Sequence, residues 1–373
     1  MNKLSSVLKY SQPTNYIVKD DDYDEKYTIP VLTAGKSFLL GYTNEKEGIF
    51  TDVPTIIFDD FTTSFHYVDF PFKVKSSAMK MLTPRNDDVH LKYVYYQMLG
   101  KRIDTRRHKR YWISQFSKLK IPLPPLPVQE RIASILDDAA ALRDKAEQLL
   151  TEYDLLAQSI FLEMFGDPVI NPKGWQKKSL QNLTSKIGSG ATPRGGKNAY
   201  KKEGISLIRS LNVHDNEFSS KDLAFIDEKQ AKKLNNVIIE ENDVLINITG
   251  ASVTRCAIVP NNILPARVNQ HVSILRCRKD KLIPQYLLHL MISPNSKVDL
   301  LRISVIGGAT REAITKSELQ NYKIPVPPLD LQNQFTEKVQ LIEHQKKIVR
   351  QELQESEDLF QALLQKAFKG ELV

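Results

Sequence analysis

The densest group of basic side chains in the 373-residue chain lies at positions 101–112, KRIDTRRHKRYW. Asp104 is the only acid among six Lys and Arg residues, and Tyr111 and Trp112 follow them directly. Cations beside rings and hydroxyls suit the phosphates of a nucleic acid, although most charge runs are solvated helix faces. The imbalance favours the nucleic-acid interpretation. The six cations are Lys101, Arg102, Arg106, Arg107, Lys109 and Arg110.

Short polar side chains follow apolar, strand-like runs at several other places. In the first third of the chain they occur in the loop 59–64, DDFTTS, and in the segment 73–77, KVKSS. Thr62 and Thr63 could contact phosphates or base edges, although for any single such residue ordinary turn chemistry is the better explanation. Similar clusters occur later in the chain: 187–196 (IGSGATPRGG), 249–255 (TGASVTR), 266–271 (ARVNQH) and 307–312 (GGATRE).

None of these clusters has the pattern of a catalytic site. The glycine-rich stretch resembles a phosphate-binding loop, but Ala191 replaces its first glycine and Asn198 replaces the residue that would hold magnesium. Gly188 and Gly190 lack the third glycine of a dinucleotide fingerprint. No adenine-methyltransferase tetrapeptide, S-adenosylmethionine motif, nucleophile–base order or nuclease cluster stands out. The sequence therefore predicts a chain that is not an enzyme and holds no cofactor or metal.

Composition gives weaker limits. A formal net charge of +8 favours a polyanionic partner without proving one. The two cysteines, Cys256 and Cys277, lie in apolar contexts and form neither a zinc motif nor a disulfide framework. Neither a hydrophobic signal core nor a membrane-spanning run is visible, so we expect a cytoplasmic protein.

Two long helices must position the polar clusters. In the stretch 127–165, apolar residues recur at alternating steps of four and three, which is the seam of a coiled coil and places Leu142 and Leu156 inside. The stretch 331–368 has a similar length and an apolar seam that is interrupted by Lys346. A polar inner residue usually fixes the register of a coiled coil at some cost in stability.

The second helix belongs to an internal repeat of the first. The phrase KIPLPPL at 120–126 is followed by Gln129, and KIPVPPL at 323–329 is followed by Gln332. A long repeat outranks local motifs when an architecture is predicted. We therefore predict an α+β chain in which two mixed α/β domains are separated by two long helices, with a pseudo-twofold relation that requires an antiparallel coiled coil. The predicted segments are domain one at 1–126, the first helix at 127–167, domain two at 168–330 and the second helix at 331–373.

Taken together, these features resemble the specificity subunits of type I restriction–modification systems, over essentially the whole chain. The resemblance rests on the repeated proline-rich phrase, on FGDP followed by NPKGW, and on GSGATP, NITGASV, RCAIVP, ARVNQHVSILR and ATREAIT in the second domain. It implies two target-recognition domains, each reading half of an interrupted double-stranded DNA sequence. The predicted contacts in the recognisable segments of domain two are Thr249, Ser252, Arg267, Asn269, Gln270 and Arg311.

The resemblance also implies partners. Methyltransferase subunits would dock on the coiled coil and carry S-adenosylmethionine, and restriction subunits would bring ATP hydrolysis and cleavage, with magnesium expected there as well. The opening SQPTNY of the first domain lacks the GSGATP pattern, and Trp175 has no counterpart there. We therefore expect the two half-sites to differ.

Two other classes remain open at this point. The chain could methylate or cut DNA by itself, against which the missing motifs speak. It could also be a coiled-coil nucleic-acid-binding scaffold outside restriction–modification, which competition between duplex DNA and RNA would test.

Overall fold

A computed structural model describes residues 1–35, 37–101, 110–306 and 313–372. The chain divides into two compact units, the first formed by Met1–Gln148 with Arg350–Val373 and the second by Leu149–Val349. Each unit contains one domain and one half of each long helix. No helix in the described ranges is both long and apolar enough to cross a membrane.

The first domain is built on two small sheets. Its elements are β1 (Asn2–Lys3), α1 (Leu4–Val7), β2 (Leu8–Ser11), β3 (Ile29–Leu32), β4 (Leu39–Thr43), β5 (Thr55–Asp59), β6 (Phe65–Val68), β7 (Lys73–Val74), β8 (Met79–Pro84), α2 (Leu91–Leu99), α3 (Tyr111–Ser114), β9 (Lys120–Ile121) and the long helix α4 (Leu126–Phe165). One sheet has the order β2-β8-β5-β6 and the other β4-β3-β7. Strand β5 is β-branched and aromatic, and it is buried along most of its length because it lies inside its sheet.

The second domain has the same plan with additions. Its elements are β10 (Lys177–Ser179), α5 (Leu180–Leu183), β11 (Thr184–Ser189), β12 (Ile205–Ile208), β13 (Val213–His214), β14 (Glu217–Phe218), β15 (Ala224–Ile226), α6 (Glu228–Lys232), β16 (Val244–Asn247), β17 (Cys256–Ile258), β18 (Ala266–Val268), β19 (Val272–Cys277), α7 (Pro284–Ile292), α8 (Pro294–Ile306), α9 (Lys316–Asn321), β20 (Lys323–Pro325) and the long helix α10 (Leu329–Lys369). The sheets have the orders β11-β19-β16-β17 and β15-β12-β18, and the hairpin β13-β14 is added.

The two domains correspond strand by strand. In the larger sheets, β2, β8, β5 and β6 match β11, β19, β16 and β17, and in the smaller sheets the parallel pair β3–β7 matches β12–β18. The β5–β6 and β16–β17 hairpins are therefore equivalent. The repeated α+β architecture predicted from the sequence is confirmed, whereas the four segment boundaries stay a prediction.

A buried glutamine holds the proline-rich phrase against the first domain. The Gln129 amide nitrogen donates to the carbonyl oxygens of Asp88 at 2.9 Å and Pro124 at 2.8 Å. Its amide oxygen accepts from the backbone nitrogen of His90 at 3.0 Å, and His90 caps helix α2. The start of α4 is thereby fixed to the start of α2.

Gln332 does the same in the second domain. Its amide nitrogen donates to the carbonyl oxygen of Pro327 at 2.9 Å, and its amide oxygen accepts from the backbone nitrogen of Ile283 at 2.9 Å. Ile283 directly precedes helix α7, the counterpart of α2. The glutamine that marks the repeat in the sequence therefore has the same structural task twice.

Replacing Gln129 by leucine is expected to lower the free energy of unfolding by about 1–3 kcal/mol, because buried peptide groups lose their hydrogen-bond partners. Gln332→Leu should have a similar effect. Urea denaturation monitored by circular dichroism measures both, with Gln340→Leu, at an exposed position of α10, as the matched control. Equal midpoints for Gln129→Leu and the control would contradict this role.

In each unit, α4 and α10 pack antiparallel. In the first unit, Leu136 and Leu364 lie in one core with Phe360. In the second, the rings of Phe165 and Phe335 are 5.3 Å apart. The two long helices are confirmed, and their ends lie within two residues of the ends of the apolar stretches 127–165 and 331–368.

The predicted seam of α4 is partly wrong. Leu142 and Leu156 are 54% and 45% exposed, and the neighbouring Arg143 and Ala157 take their places facing inward. The Arg143 guanidinium carbon lies 5.2 Å from the ring centre of Phe360. A prediction based on large apolar side chains assigns the leucines to the interior, because it does not count the aliphatic part of an arginine or a small alanine as an interior group.

Two ion pairs between the helices occupy equivalent positions of the repeat. Arg143 lies 3.7 Å from Glu357 in the first unit, and Lys346 lies 2.6 Å from Asp154 in the second. The offset of 203 residues between Lys120 and Lys323 also relates Arg143 to Lys346 and Asp154 to Glu357. Lys346 is buried, as predicted for an inner position. Such buried polar positions favour one helix register over its alternatives.

Candidate nucleic-acid interface

The hairpin between β5 and β6 carries the predicted contacts Thr62 and Thr63. Asp59 closes the turn, since its carboxylate accepts from the backbone nitrogens of Phe61 at 2.8 Å and Thr62 at 2.7 Å. Thr63 has a φ of 60°, in the left-handed region, which makes the turn tight. The exposed Thr62 hydroxyl accepts from the backbone nitrogen of Ser64 at 3.3 Å, so its hydrogen remains available for an external acceptor.

Asp60 connects this hairpin to the end of the basic run. Its buried carboxylate accepts from the backbone nitrogen of Trp112 at 2.7 Å and lies 3.1 Å from the Lys80 ammonium. Its carbonyl oxygen accepts from the backbone nitrogen of Tyr111 at 2.9 Å. These bonds hold the hairpin against the start of helix α3, which the exposed Arg110 directly precedes.

The other described residues of the basic run, Lys101, Tyr111 and Trp112, contribute less to the site. Lys101 is half-buried, with its ammonium 5.9 Å from the ring centre of Phe368. Tyr111 and Trp112 were expected to flank phosphates, but both rings are buried in the core, where they add apolar packing. Four predicted contacts lie outside the described residues: Arg102, Arg106, Arg107 and Lys109.

The segment 73–77 has a structural role at its first residue. The buried Lys73 ammonium lies 2.8 Å from the Glu45 carboxylate and donates to the Glu47 carbonyl oxygen at 2.6 Å. Its charge is therefore compensated inside the protein and does not face a ligand.

In the second domain, the glycine-rich strand end packs against the segment 266–271. Gly190 donates its backbone N–H to the Asn269 carbonyl oxygen at 3.0 Å. A Cβ at Gly190 would lie only 1.8 Å from the Val268 carbonyl oxygen, so only glycine fits here. The glycine thus serves close packing between two backbone segments.

A string of side-chain hydrogen bonds extends from this contact to the β16–β17 hairpin. The Thr192 hydroxyl donates to the Gln270 amide oxygen, and the Gln270 amide nitrogen lies 3.0 Å from His271 Nε2. His271 Nδ1 lies 2.5 Å from the Thr249 hydroxyl. Gln270 is exposed, and Thr249 and His271 are half-buried, so the string reaches the surface.

Arg267 and Asn269 lie inside the domain. Arg267 is 7% exposed, it donates to the Ala266 carbonyl oxygen at 3.0 Å, and burial lowers the pKa of its guanidinium. The Asn269 side-chain oxygen accepts from the backbone nitrogen of His271 at 2.9 Å. Both side chains are placed to support the loop from within; a direct contact with DNA, as predicted from the sequence, is not favoured by this burial and stays a prediction.

Thr249 and Ser252 line an open cleft of about 440 Å³ together with Ser210, Arg255 and His271. Arg255 and His271 were not among the residues singled out from the sequence. Both lie inside polar segments that were singled out, 249–255 and 266–271, so the signal was present but the individual residues could not be ranked without geometry.

The remaining predicted contact, Arg311, lies outside the described residues. Ala313, which follows that segment, forms a β-bridge with Thr249 at the cleft. Within the described ranges, no group of three or more His, Cys, Asp or Glu side chains is arranged to hold a metal ion.

Comparison with known proteins identifies relatives of the whole chain. Residues 1–152 and 172–357 match the family model described as type I restriction modification DNA specificity domain. The chain is 34% identical over 350 residues to the specificity subunit of the Escherichia coli type I restriction enzyme EcoR124I/EcoR124II, covering 90% of this chain and 84% of that protein.

Two solved structures share the fold. The crystal structure of a type I restriction–modification system S subunit from M. genitalium matches with a TM-score of 0.60 at 14% identity, covering 98% of this chain and 95% of that one. A chain from a study of complex assembly and conformational transition of the type I R-M system matches with a TM-score of 0.53 at 19% identity, over the full length of both.

Proposed function

Because the chain belongs to the family of type I restriction–modification DNA specificity subunits, we propose that it directs methyltransferase and restriction subunits to an interrupted, two-part target in double-stranded DNA. The observation that carries this proposal is the equivalence of two hairpins. The β5–β6 hairpin bears Thr62 and Thr63, and the matching β16–β17 hairpin bears Thr249, Ser252 and Arg255.

A repeated scaffold with unlike side chains on matching loops is suited to reading two unlike half-sites. The first hairpin combines threonine hydroxyls with the nearby Arg110, whereas the second forms a cleft around Arg255 and His271. Phosphate contacts would set the position of each domain, and contacts with base edges would set its sequence preference. The net charge of +8 supports an acidic partner.

In this proposal the chain recognises DNA, and its partner subunits catalyse methyl transfer and cleavage. S-adenosylmethionine would be held by methyltransferase subunits, and ATP and magnesium by restriction subunits. The long helices offer apolar side chains for docking the methyltransferase subunits. Exposed examples on α4 and α10 are Leu142, Leu155, Leu156, Leu162, Leu341, Ile348 and Leu359.

Arg110→Ala is expected to weaken binding to all duplex sequences alike, because we assign to this exposed arginine a phosphate contact, which carries no sequence information. The slope of log affinity against log salt should become shallower by about one. Fluorescence anisotropy with unrelated duplexes at several salt concentrations measures this, with RNA of the same sequence as competitor.

Arg350→Ala removes the same charge from an exposed position of α10 and serves as the control. Equal changes in slope for both variants would mean that Arg110 contributes only to net charge. Stronger binding to RNA than to duplex DNA would contradict the proposed function.

A further inference from the structure

The cleft beside the β16–β17 hairpin presents donors to its interior. None of its lining side chains is a carboxylate. We propose that this cleft grips a hydrogen-bond-accepting edge of DNA, with Arg255 and the Thr249 hydroxyl as the contacting groups. The proposal rests on the proposed function and assigns a contact residue, Arg255, that the sequence alone did not single out.

The hydrogen-bond string fixes the direction in which Thr249 donates. The Gln270 amide oxygen accepts from Thr192, so its amide nitrogen faces His271 Nε2 and donates to it. A neutral imidazole carries one hydrogen, so when Nε2 of His271 accepts, the hydrogen is on Nδ1. Nδ1 then donates this hydrogen to the Thr249 hydroxyl oxygen, 2.5 Å away. The Thr249 hydroxyl hydrogen must therefore point away from His271 and remains available in the cleft.

Ser252 is oriented in the same sense. Its hydroxyl oxygen lies 3.2 Å from the buried Asn247 amide nitrogen, which also lies 3.3 Å from the Val213 carbonyl oxygen. An amide nitrogen cannot accept a hydrogen bond, so the Ser252 hydrogen is not used there and can be donated to a ligand. The same amide nitrogen donates to the Ser210 carbonyl oxygen at 2.9 Å, so a backbone acceptor of the cleft wall is already occupied. The hydroxyls of Thr249 and Ser252 are therefore both able to donate a hydrogen bond to a ligand in the cleft.

Arg255 supplies the charge. The Leu211 carbonyl oxygen accepts from His214 Nε2 at 3.1 Å, which leaves His214 Nδ1 as an acceptor for the Arg255 guanidinium at 3.4 Å. In the described part of the chain no carboxylate lies within ion-pair distance of Arg255. Its remaining N–H groups can serve a ligand.

A cation flanked by two oriented hydroxyl donors selects a partner with adjacent acceptors. In duplex DNA, two groups have this chemistry: the O6 and N7 edge of guanine in the major groove, and the oxygens of a phosphodiester. Both would be recognised by the same donors, and they differ in whether recognition depends on sequence.

The test uses the full-length chain and a pool of randomised duplexes, with sequencing of the bound fraction and a salt titration. Arg255→Ala is expected to bind about ten- to a hundredfold more weakly at one base-pair position of one half-site if the cleft reads guanine. If it grips phosphate, all sequences should weaken alike and the salt slope should fall by about one. Thr249→Val, which keeps the shape of the side chain, should give a smaller change of the same kind.

The controls separate the possible failures. Arg350→Ala removes a charge elsewhere and should leave the preferred sequence unchanged, and thermal unfolding of each variant checks its fold. The cleft proposal alone would be overturned if the wild-type protein selects a sequence and both variants, Arg255→Ala and Thr249→Val, select the same sequence with unchanged affinity and an unchanged slope of log affinity against log salt. Wild-type protein with no preference among duplexes would overturn the proposed function together with it.

Discussion

Adding four residues to both long helices is expected to lengthen the gap between the two DNA half-sites by one or two base pairs and to leave the half-sites unchanged. The insertion points are Gln148/Leu149 in α4 and Gln351/Glu352 in α10, midway between the residues of the two equivalent ion pairs. Four residues extend a helix by about 6 Å and rotate it about 40° beyond a full turn. One base pair of B-DNA advances about 3.4 Å along the duplex and turns about 35°. The added helix length therefore corresponds to about two base pairs and the added rotation to about one.

The matched control carries the insertion in α4 alone. It shifts one helix against the other and separates Arg143 from Glu357 or Lys346 from Asp154, so we expect loss of DNA recognition or of folding. Sequencing of modified bases in cells that express each variant with its partners reports gap and half-sites together. A functional double-insertion variant with the original gap would show that partner subunits, and not the helices, set the distance.

Purified chain supplied with S-adenosylmethionine and duplex DNA is expected to transfer no methyl groups, whereas addition of its methyltransferase subunits should turn transfer on. The reason is chemical: the sequence lacks the cofactor-binding and catalytic motifs that adenine methyltransferases use. Incorporation of labelled methyl groups into DNA measures the difference from background.

Methyltransferase subunits without the chain form the necessary control, because their own activity would imitate the expected result. Transfer that persists in rigorously purified chain, and that disappears when Arg255 or Arg110 is replaced, would assign catalysis to this chain and contradict the proposal.

The architecture could be predicted from the sequence because the chain contains an internal repeat. The repeat is visible in the two copies of the proline-rich phrase, which are followed by Gln129 and Gln332. These two glutamines make equivalent buried hydrogen bonds. The lengths of α4 and α10 could be predicted because the apolar spacing continues along each stretch, although Lys346 interrupts it in the second. The apolar neighbours of Lys346 along the seam predict that it lies inside, and its ion pair with Asp154 explains how the charge is tolerated there.

The details of packing and of the site were less accessible. The seam of α4 passes through Arg143 and Ala157, which no apolar pattern marks, while Leu142 and Leu156 remain exposed. Polar segments of the second domain could be named from sequence, but polar residue types do not reveal burial. Arg267 is buried, whereas Arg255, which directly precedes strand β17, lines the cleft, and only the folded structure distinguishes these two arginines.

The most direct test of the central claim is to sequence the modified bases of cells that contain the methyltransferase subunits, with and without this chain. We expect one chain-dependent motif with two unlike parts separated by a gap of fixed length and unspecified sequence. Exchange of the second domain for that of a relative should change one part and leave the other part intact. A single uninterrupted motif, or modification that is identical without the chain, would contradict the reading of DNA by two domains.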